Sequence, residues 1–429
     1  MFKMFVQGRL ESYVKRYFKA HPEVKLVVVA GSVGKTSTKV AIATVLNEKF
    51  RVRLHEGNHN SEVSAPLAML GIDFPTSLRD PRQWIKIFKA AKGRINDPTD
   101  VDIIIQEIGT EHSGEIPHFG KYLRPDIAVI SAISPEHMEF FKTMDAVAKE
   151  ELAAANFSKF ALINRDDVPG GYAKYMTNSA IDTYGTTNDA EYYFTDQNFA
   201  LKTGHQGTFT APEWTEPVQA TIHVVGEHNL RPAIAAAAVG VKLGMSAEEV
   251  ARGLEKVKAV AGRMNMLQGL ENTTILDDSY NSSPLAAKSA LQTLYSLTAP
   301  GKIAVLGSMN ELGETAPAEH EGIGLLCDPA QLAWVVTVGD DAEKYLAPVA
   351  KSRGCQVISF KTALEAGAFV HKIMEPGSVI LFKGSQGGVF LEEAVKIILH
   401  ATEDEQYLVR QSSLWLETKR KYFESFASK

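Results

Sequence analysis

Cysteine is nearly absent from this chain: Cys327 and Cys355 are the only two in 429 residues. A scaffold stapled by disulfides is therefore excluded. One bridge between the two remains open, and buried thiols in a reducing cytoplasm are the better reading. Neither has another cysteine or a histidine at metal-site spacing, which speaks against a structural zinc. Long charge-free apolar runs are missing too, so no segment is built to cross a bilayer as a helix. The opening MFKMFVQGRLESYVKRYFKAHPEVK interleaves aromatic, basic and acidic residues; it lacks the apolar core of a signal peptide and reads as an amphipathic helix. Neither sign of charge dominates: 45 Lys and Arg face 51 Asp and Glu, a formal net charge of -6. That balance does not point to nucleic acid, although a local basic groove is compatible with it.

What is present is the rhythm of an α/β protein. KLVVVAGSVGKTSTKVAIATVLNEKF runs an apolar strand into a glycine turn and a helix of about three turns. Apolar runs recur at 102–108, 126–133 and 160–164, with a helical pattern at 144–155, which predicts a mostly parallel sheet covered by helices. Residues 190–225 are strand-like with polar turns and predict an antiparallel edge or a small inserted sheet. Two packed helices are expected over 229–260, breaking near Gly244 with Ser246 as N-cap. After Arg263 the rhythm begins afresh, with strands at TTILDDS, KIAVLGS, AWVVTVG, CQVISF and SVILFKG. The expected organisation is an amino-terminal helix over 1–24, a first domain over 25–265, a second over 266–400 and a helical tail over 401–429. In the tail, Leu408, Trp415 and Tyr422 recur every seven residues. That stripe would cover the protein's own body, or serve a partner, a second copy or a membrane surface.

The strongest local signal is Gly31-Ser32-Val33-Gly34-Lys35-Thr36-Ser37-Thr38, set between a strand and a helix. Gly31 and Gly34 let a backbone approach phosphate closely, and free N–H groups at the helix start, including that of Ser37, cradle it. Lys35 would neutralise phosphate charge and Thr36 would hold Mg2+. Val29 stands where the full motif has its first glycine, so this is a shortened variant. Glu107 ends the run DIIIQE, where the carboxyl end of a parallel strand faces the ligand crevice, and a carboxylate there can hold Mg2+. Glu111, His112 and Glu115 behind it are further candidates, explained nearly as well as surface-loop residues. His137, just past DIAVISAI, is either a structural histidine or a neutral imidazole ligand to metal. Asp278 and Tyr280, in Asp277-Asp278-Ser279-Tyr280-Asn281, follow the first strand of the second domain and would reach ribose or metal-bound water; capping alone is the alternative for Asp278 or Ser279. Lys383-Gly384-Ser385-Gln386-Gly387-Gly388 is either another anion-binding turn or a plain glycine-rich one.

These motifs, together with EGNHNSEVSAPLAMLG, GEHNLRPAIAAAAVGVKLG, GRMN and VLGSMNELGE, occur in an order that resembles the Mur ligase family from about Lys25 to Ile398. Within the family the chain is most similar to the branch that adds D-alanyl-D-alanine to a UDP-muramoyl tripeptide. The resemblance implies an α/β fold: a P-loop central domain with a mostly parallel sheet, followed by a Rossmann-like carboxy-terminal domain. It also implies a cytoplasmic, ATP-dependent ligase that joins a carboxylate to an amine through an acyl phosphate, in peptidoglycan precursor synthesis. Lys35 and Thr36 would hold ATP phosphate and Mg2+, with Glu107 as metal ligand and His137 on a second Mg2+. Asn229 would lie near adenine, Arg263 would anchor nucleotide phosphate, and Asp278 with Tyr280 would approach ribose. Lys383 and Ser385 would belong to the acceptor region.

Two departures qualify the carry-over. The family's carbamylated lysine falls on Glu151, which would supply a permanent carboxylate to metal; a shifted register that returns the role to Lys149, or a merely solvated Glu151, is the alternative. Only about 24 residues precede the first core strand, too few for the family's UDP-sugar-binding domain. The terminal helices or a partner chain would replace it, or the carboxylate would be another peptide or a polyglutamate-type substrate. A non-catalytic ATP-responsive subunit is the remaining reading.

Overall fold

The run Lys25–Ala30 has no polar alternation, the pattern of a strand covered on both faces, and it forms β1 near the middle of a nine-stranded sheet. The computed structural model describes residues 2–427 apart from 56, 58 and 79. Beside β1 lie β2 (Val52–Leu54), β3 (Ile103–Glu107), β4 (Ile127–Ile130), β5 (Phe160–Asn164), β6 (Ile181–Gly185), β7 (Tyr192–Ala200), β8 (Gly204–Thr210) and β9 (Val218–Ile222). Their order is β2-β3-β1-β4-β5-β6-β7-β8-β9; pairing is parallel from β2 through β7 and antiparallel from β7 to β9. The polar 190–225 stretch is thus an antiparallel extension of the main sheet rather than a separate sheet. The helix Leu230–Lys242 is buried along almost its whole length, which its alanines permit by offering little bulk. Ser246 caps the next helix, Ala247–Glu255, in a reciprocal capping box with Glu249. That helix ends at Glu255, a few residues before the expected 260.

The chain after Ala259 builds a second sheet from β10 (Asn265–Gln268), β11 (Thr274–Asp278), β12 (Lys302–Gly307), β13 (Trp334–Val338), β14 (Val357–Phe360) and β15 (Val379–Lys383). The order is β10-β11-β15-β12-β13-β14, parallel except for the β10 edge. The architecture is therefore α/β, with a P-loop-type domain followed by a Rossmann-like one.

Two compact units divide the chain. One takes the residues up to Ser134, then Phe140–His223 and Leu230–Lys258; the other takes Pro135–Glu139, Val224–Asn229 and everything from Ala259 onward. The Phe2–Ala20 helix belongs to the first unit and buries Val6, Leu10 and Trp84 with Leu67 and Ile87 in a core of its own. The tail helix, Ser413–Ala427, belongs to the second. Its stripe faces that unit's own body: Phe390 is ringed by Trp415, Tyr422 and Phe423, and Leu408 joins the main core. Cys327 and Cys355 are free thiols, both buried, and burial pushes the Cys327 thiol up to about 12. Among the described residues no helix is long and apolar enough to cross a membrane.

Candidate active site

In the first unit the chemistry gathers at the carboxyl ends of β1 and β3. After β1 the backbone turns at Gly31 (φ 126°) and Gly34 (φ 86°) before the helix Lys35–Leu46. A side chain at Gly31 would meet Ser131 Oγ at 2.4 Å and the Ala132 nitrogen at 2.8 Å, so the loop lies against the β4 exit with no room for a Cβ. Ser131 Oγ ties the turn by donating to Val33 O at 2.6 Å, and the Ser134 amide donates to Ser32 Oγ at 3.1 Å. Lys35 Nζ donates to Gly31 O at 2.5 Å, curled over the loop it follows.

Thr36 Oγ1 donates to Glu107 Oε2 at 3.0 Å, joining the P-loop helix to the end of β3. Glu107 is buried, pairs with the equally buried Lys39 at 3.2 Å, and accepts from Asn60 Nδ2 at 3.4 Å. Lys39 also donates to Gly57 O at 2.8 Å, so it ties the 55–60 loop to the P-loop helix. Of that loop's HEGNHN sequence, Glu56 and Asn58 lie outside the described residues. His59 stacks edge-on with His55 at 4.1 Å, and burial, with the charges of His55 and Lys39 nearby, lowers its pKa.

Glu151 is 1% exposed and accepts the Gly31 amide at 2.6 Å, which places its carboxylate on the P-loop itself. Its neighbour Glu150 does a different job. It accepts from the Gly114 and Ile116 amides, both at 2.7 Å, and holds the loop after β3. Lys149 is exposed. Lys149, the alternative for the family lysine's place, is thus open to solvent, whereas Glu151 is buried against the loop. Glu115 accepts from the Glu111 and His112 amides, which fits the surface-loop reading of that group.

His137 belongs to the second unit, with φ 49°. Its Nδ1 lies 3.0 Å from Glu311 Oε2, and this hydrogen bond holds the Glu311 carboxyl below its ordinary range. Asn229 Nδ2 donates to Val225 O at 2.8 Å. At the β11 exit, Asp278 pairs with buried Lys383 at 2.8 Å and accepts from the Met264 amide at 3.1 Å. Lys383 also donates to Asn281 O, and Ser385 Oγ accepts from the Asn310 amide at 2.9 Å. Lys383 thus joins the β11 and β15 exits instead of standing out from its turn. Helix capping there falls to Ser283, not to Asp278 or Ser279.

The Arg263 guanidinium lies 4.3 Å from the Tyr280 ring centre, and Arg410 stands at 5.8 Å. Arg410 is a residue that no sequence motif marked. It donates to the Ser279 and Tyr280 carbonyls at 2.7 and 2.9 Å and pairs with fully buried Glu392. Lys39, Glu150 and Glu311 were missed as well. Lys39 sits one turn beyond Lys35 and therefore on the same helix face, a spacing that could have flagged it.

Among the described residues no group of three or more His, Cys, Asp or Glu is set to hold a metal. The Thr36 hydroxyl and the Glu107 carboxylate are nonetheless an all-oxygen pair at a phosphate loop, the donor type that suits Mg2+ completed by phosphate and water.

Residues 29–240 match the Mur ligase middle domain and 262–386 the Mur ligase, glutamate ligase domain. The chain is 30% identical over 391 residues to UDP-N-acetylmuramoyl-tripeptide--D-alanyl-D-alanine ligase of Bacillus subtilis, covering 88% of this chain and 76% of that one. It is 27% identical to the Escherichia coli enzyme of the same name, covering 91% and 79%. Among solved structures, MurF ligase from Thermotoga maritima in complex with ADP superposes with a TM-score of 0.72 at 23% identity, over 92% of this chain and 84% of that one. Folylpolyglutamate synthase from Mycobacterium tuberculosis gives 0.64 at 16%, over 90% and 94%. The order of the motifs, the two matched domains and the identity to the Bacillus enzyme place this chain in the Mur ligase family.

Proposed function

We propose that the protein is an ATP-dependent ligase that joins a carboxylate to an amine, with a muramoyl-peptide carboxylate and an amino acid or dipeptide amine as its substrates in the cytoplasm. The observation that carries this reading is the P-loop, where Glu151 accepts the Gly31 amide, Lys35 donates to the Gly31 carbonyl and Thr36 donates to Glu107 at the end of β3. The P-loop amides would seat the ATP phosphates, and Lys35 would leave Gly31 O to neutralise the phosphate being transferred. Thr36, Glu107 and Glu151 would be the Mg2+ ligands of the first unit, and His137 would serve a second Mg2+. Bound there, Mg2+ would draw charge from the phosphate oxygens. The substrate carboxylate attacks the terminal phosphorus, an O–P bond forms, and ADP leaves. The amine then attacks the acyl carbon, and phosphate departs as the C–N bond is completed. Asn229, Arg263, Asp278 and Tyr280 are assigned to the nucleoside and phosphate, and Lys383 with Ser385 to support of the acceptor loop.

The test is to incubate the protein with ATP, Mg2+, UDP-muramoyl peptides and a panel of amines, and to identify products by mass. ADP release that needs both partners, with a product of their combined mass less water, is expected. Condensation only with another carboxylate, such as a polyglutamyl chain, would move the substrate and keep the chemistry. ATP binding with no condensation on any pair would point to a non-catalytic subunit.

A further inference from the structure

The charge of this protein is unevenly spread. The helices Phe2–Ala20 and Pro81–Asn96 together carry ten Lys and Arg against one acidic residue, Glu11, a net of +9 in a chain whose total is -6. Everything else therefore carries -15. Nine of the ten cations are exposed, and among the described residues Arg94 alone of the ten is ion-paired, to Asp100. Glu11 is itself engaged by Gln7 and His118.

The two helices pack side by side in the first unit, and large apolar side chains stand out among their cations. Phe2 meets Trp84 edge-on at 6.5 Å yet stays 49% exposed. Phe5 is 58% and Ile85 67% exposed. On the first helix, Phe2, Phe5, Arg9 and Arg16 follow three-, four- and seven-residue steps and so share a face. On the second, Ile85, Lys89 and Lys92 do the same. Arg9 joins the two stripes, with its guanidinium 5.9 Å from both the Phe5 ring and the Phe88 ring.

We propose that this two-helix face docks on the surface of an anionic phospholipid bilayer. Phe2, Phe5 and Ile85 enter the headgroup boundary, and Arg9, Arg16, Lys89 and Lys92 lay their alkyl stems against it with their charges at the lipid phosphates. Charge selects this occupant. A second copy docking by the same face would set like charge against like, and a nucleic acid would find cations but have no use for three exposed apolar side chains beside them. Docking would hold the enzyme at a membrane surface without a spanning helix. The inference does not depend on the ligase reading.

The test uses the full chain and sedimentation with vesicles of phosphatidylcholine alone or of equal parts phosphatidylcholine and phosphatidylglycerol. Binding to the mixed vesicles only, weakening as salt rises, is expected. Each cation near such a surface is worth roughly a fivefold change in partition, so Arg9→Glu with Lys89→Glu should lower binding more than tenfold. Phe5→Ser with Ile85→Ser should lower it while keeping the salt dependence. These side chains are exposed, so thermal melting should match the parent protein. Equal binding to neutral vesicles, no binding to mixed ones, or indifference to charge reversal would overturn the proposal. So would tighter binding to duplex nucleic acid that ignores Phe5 and Ile85.

Discussion

Two adjacent glutamates show how much one residue of register decides. Glu150 holds the loop after β3 and Glu151 holds the P-loop. Glu151→Gln keeps an oxygen for the Gly31 amide but removes the charge. It should fold normally and lose activity mainly at limiting Mg2+, measured as the Mg2+ concentration for half-maximal rate; full activity and unchanged Mg2+ dependence would refute the metal role. Lys149→Ala should change neither. Asp277 offers a second test at this scale. It is fully buried, Oδ1 accepts from Ser279, Oδ2 has no hydrogen-bond partner, and burial raises its pKa to about 6. Because the folded state holds this proton more tightly than the unfolded one, its contribution favours folding most at low pH. That contribution is lost as pH rises from about 4 to about 6, for roughly 3 kcal/mol at most. Asp277→Asn should remove that part of the slope in denaturant melts across this range; an unchanged slope would contradict the assignment.

At the level of elements, the tail is a brace. Arg410 crosses from it to the backbone of the β11 exit, and Tyr422 donates to Gly388 O beyond β15. Arg410→Ala would leave the buried Glu392 carboxylate to Lys419 and remove the hydrogen bonds to the Ser279 and Tyr280 carbonyls, which should cost about 1–3 kcal/mol in a denaturant melt. If Tyr280 approaches the nucleotide, the same variant at a temperature where it stays folded should raise the KM for ATP more than it lowers kcat. The strands, the P-loop and the Ser246 cap were legible because each is written in a few neighbouring residues. Arg410 was not, since its partners stand 18 and about 130 positions away and nothing local marks an arginine as buried. Lys39 was not marked by the sequence for the same reason: its partner Glu107 is brought by β3 pairing beside β1.

For the whole molecule, motif order identified the family, and the sheet orders agree with the α/β architecture expected of it. The +9 helix pair was invisible in a net charge of -6, because its two halves are separated by sixty residues and come together only on folding. Substrate identity is the least legible property, since it depends on the shape of loops around a chemistry that the family shares. The proposed chemistry turns on activation of a carboxylate as an acyl phosphate. Its most direct measurement uses the carboxylate that supports condensation, labelled with oxygen-18 in both carboxyl positions, and follows the label by mass spectrometry. One labelled oxygen should pass into inorganic phosphate for each amide formed, with ADP as the nucleotide product. Label in AMP, or phosphate free of label while the amide accumulates, would contradict it.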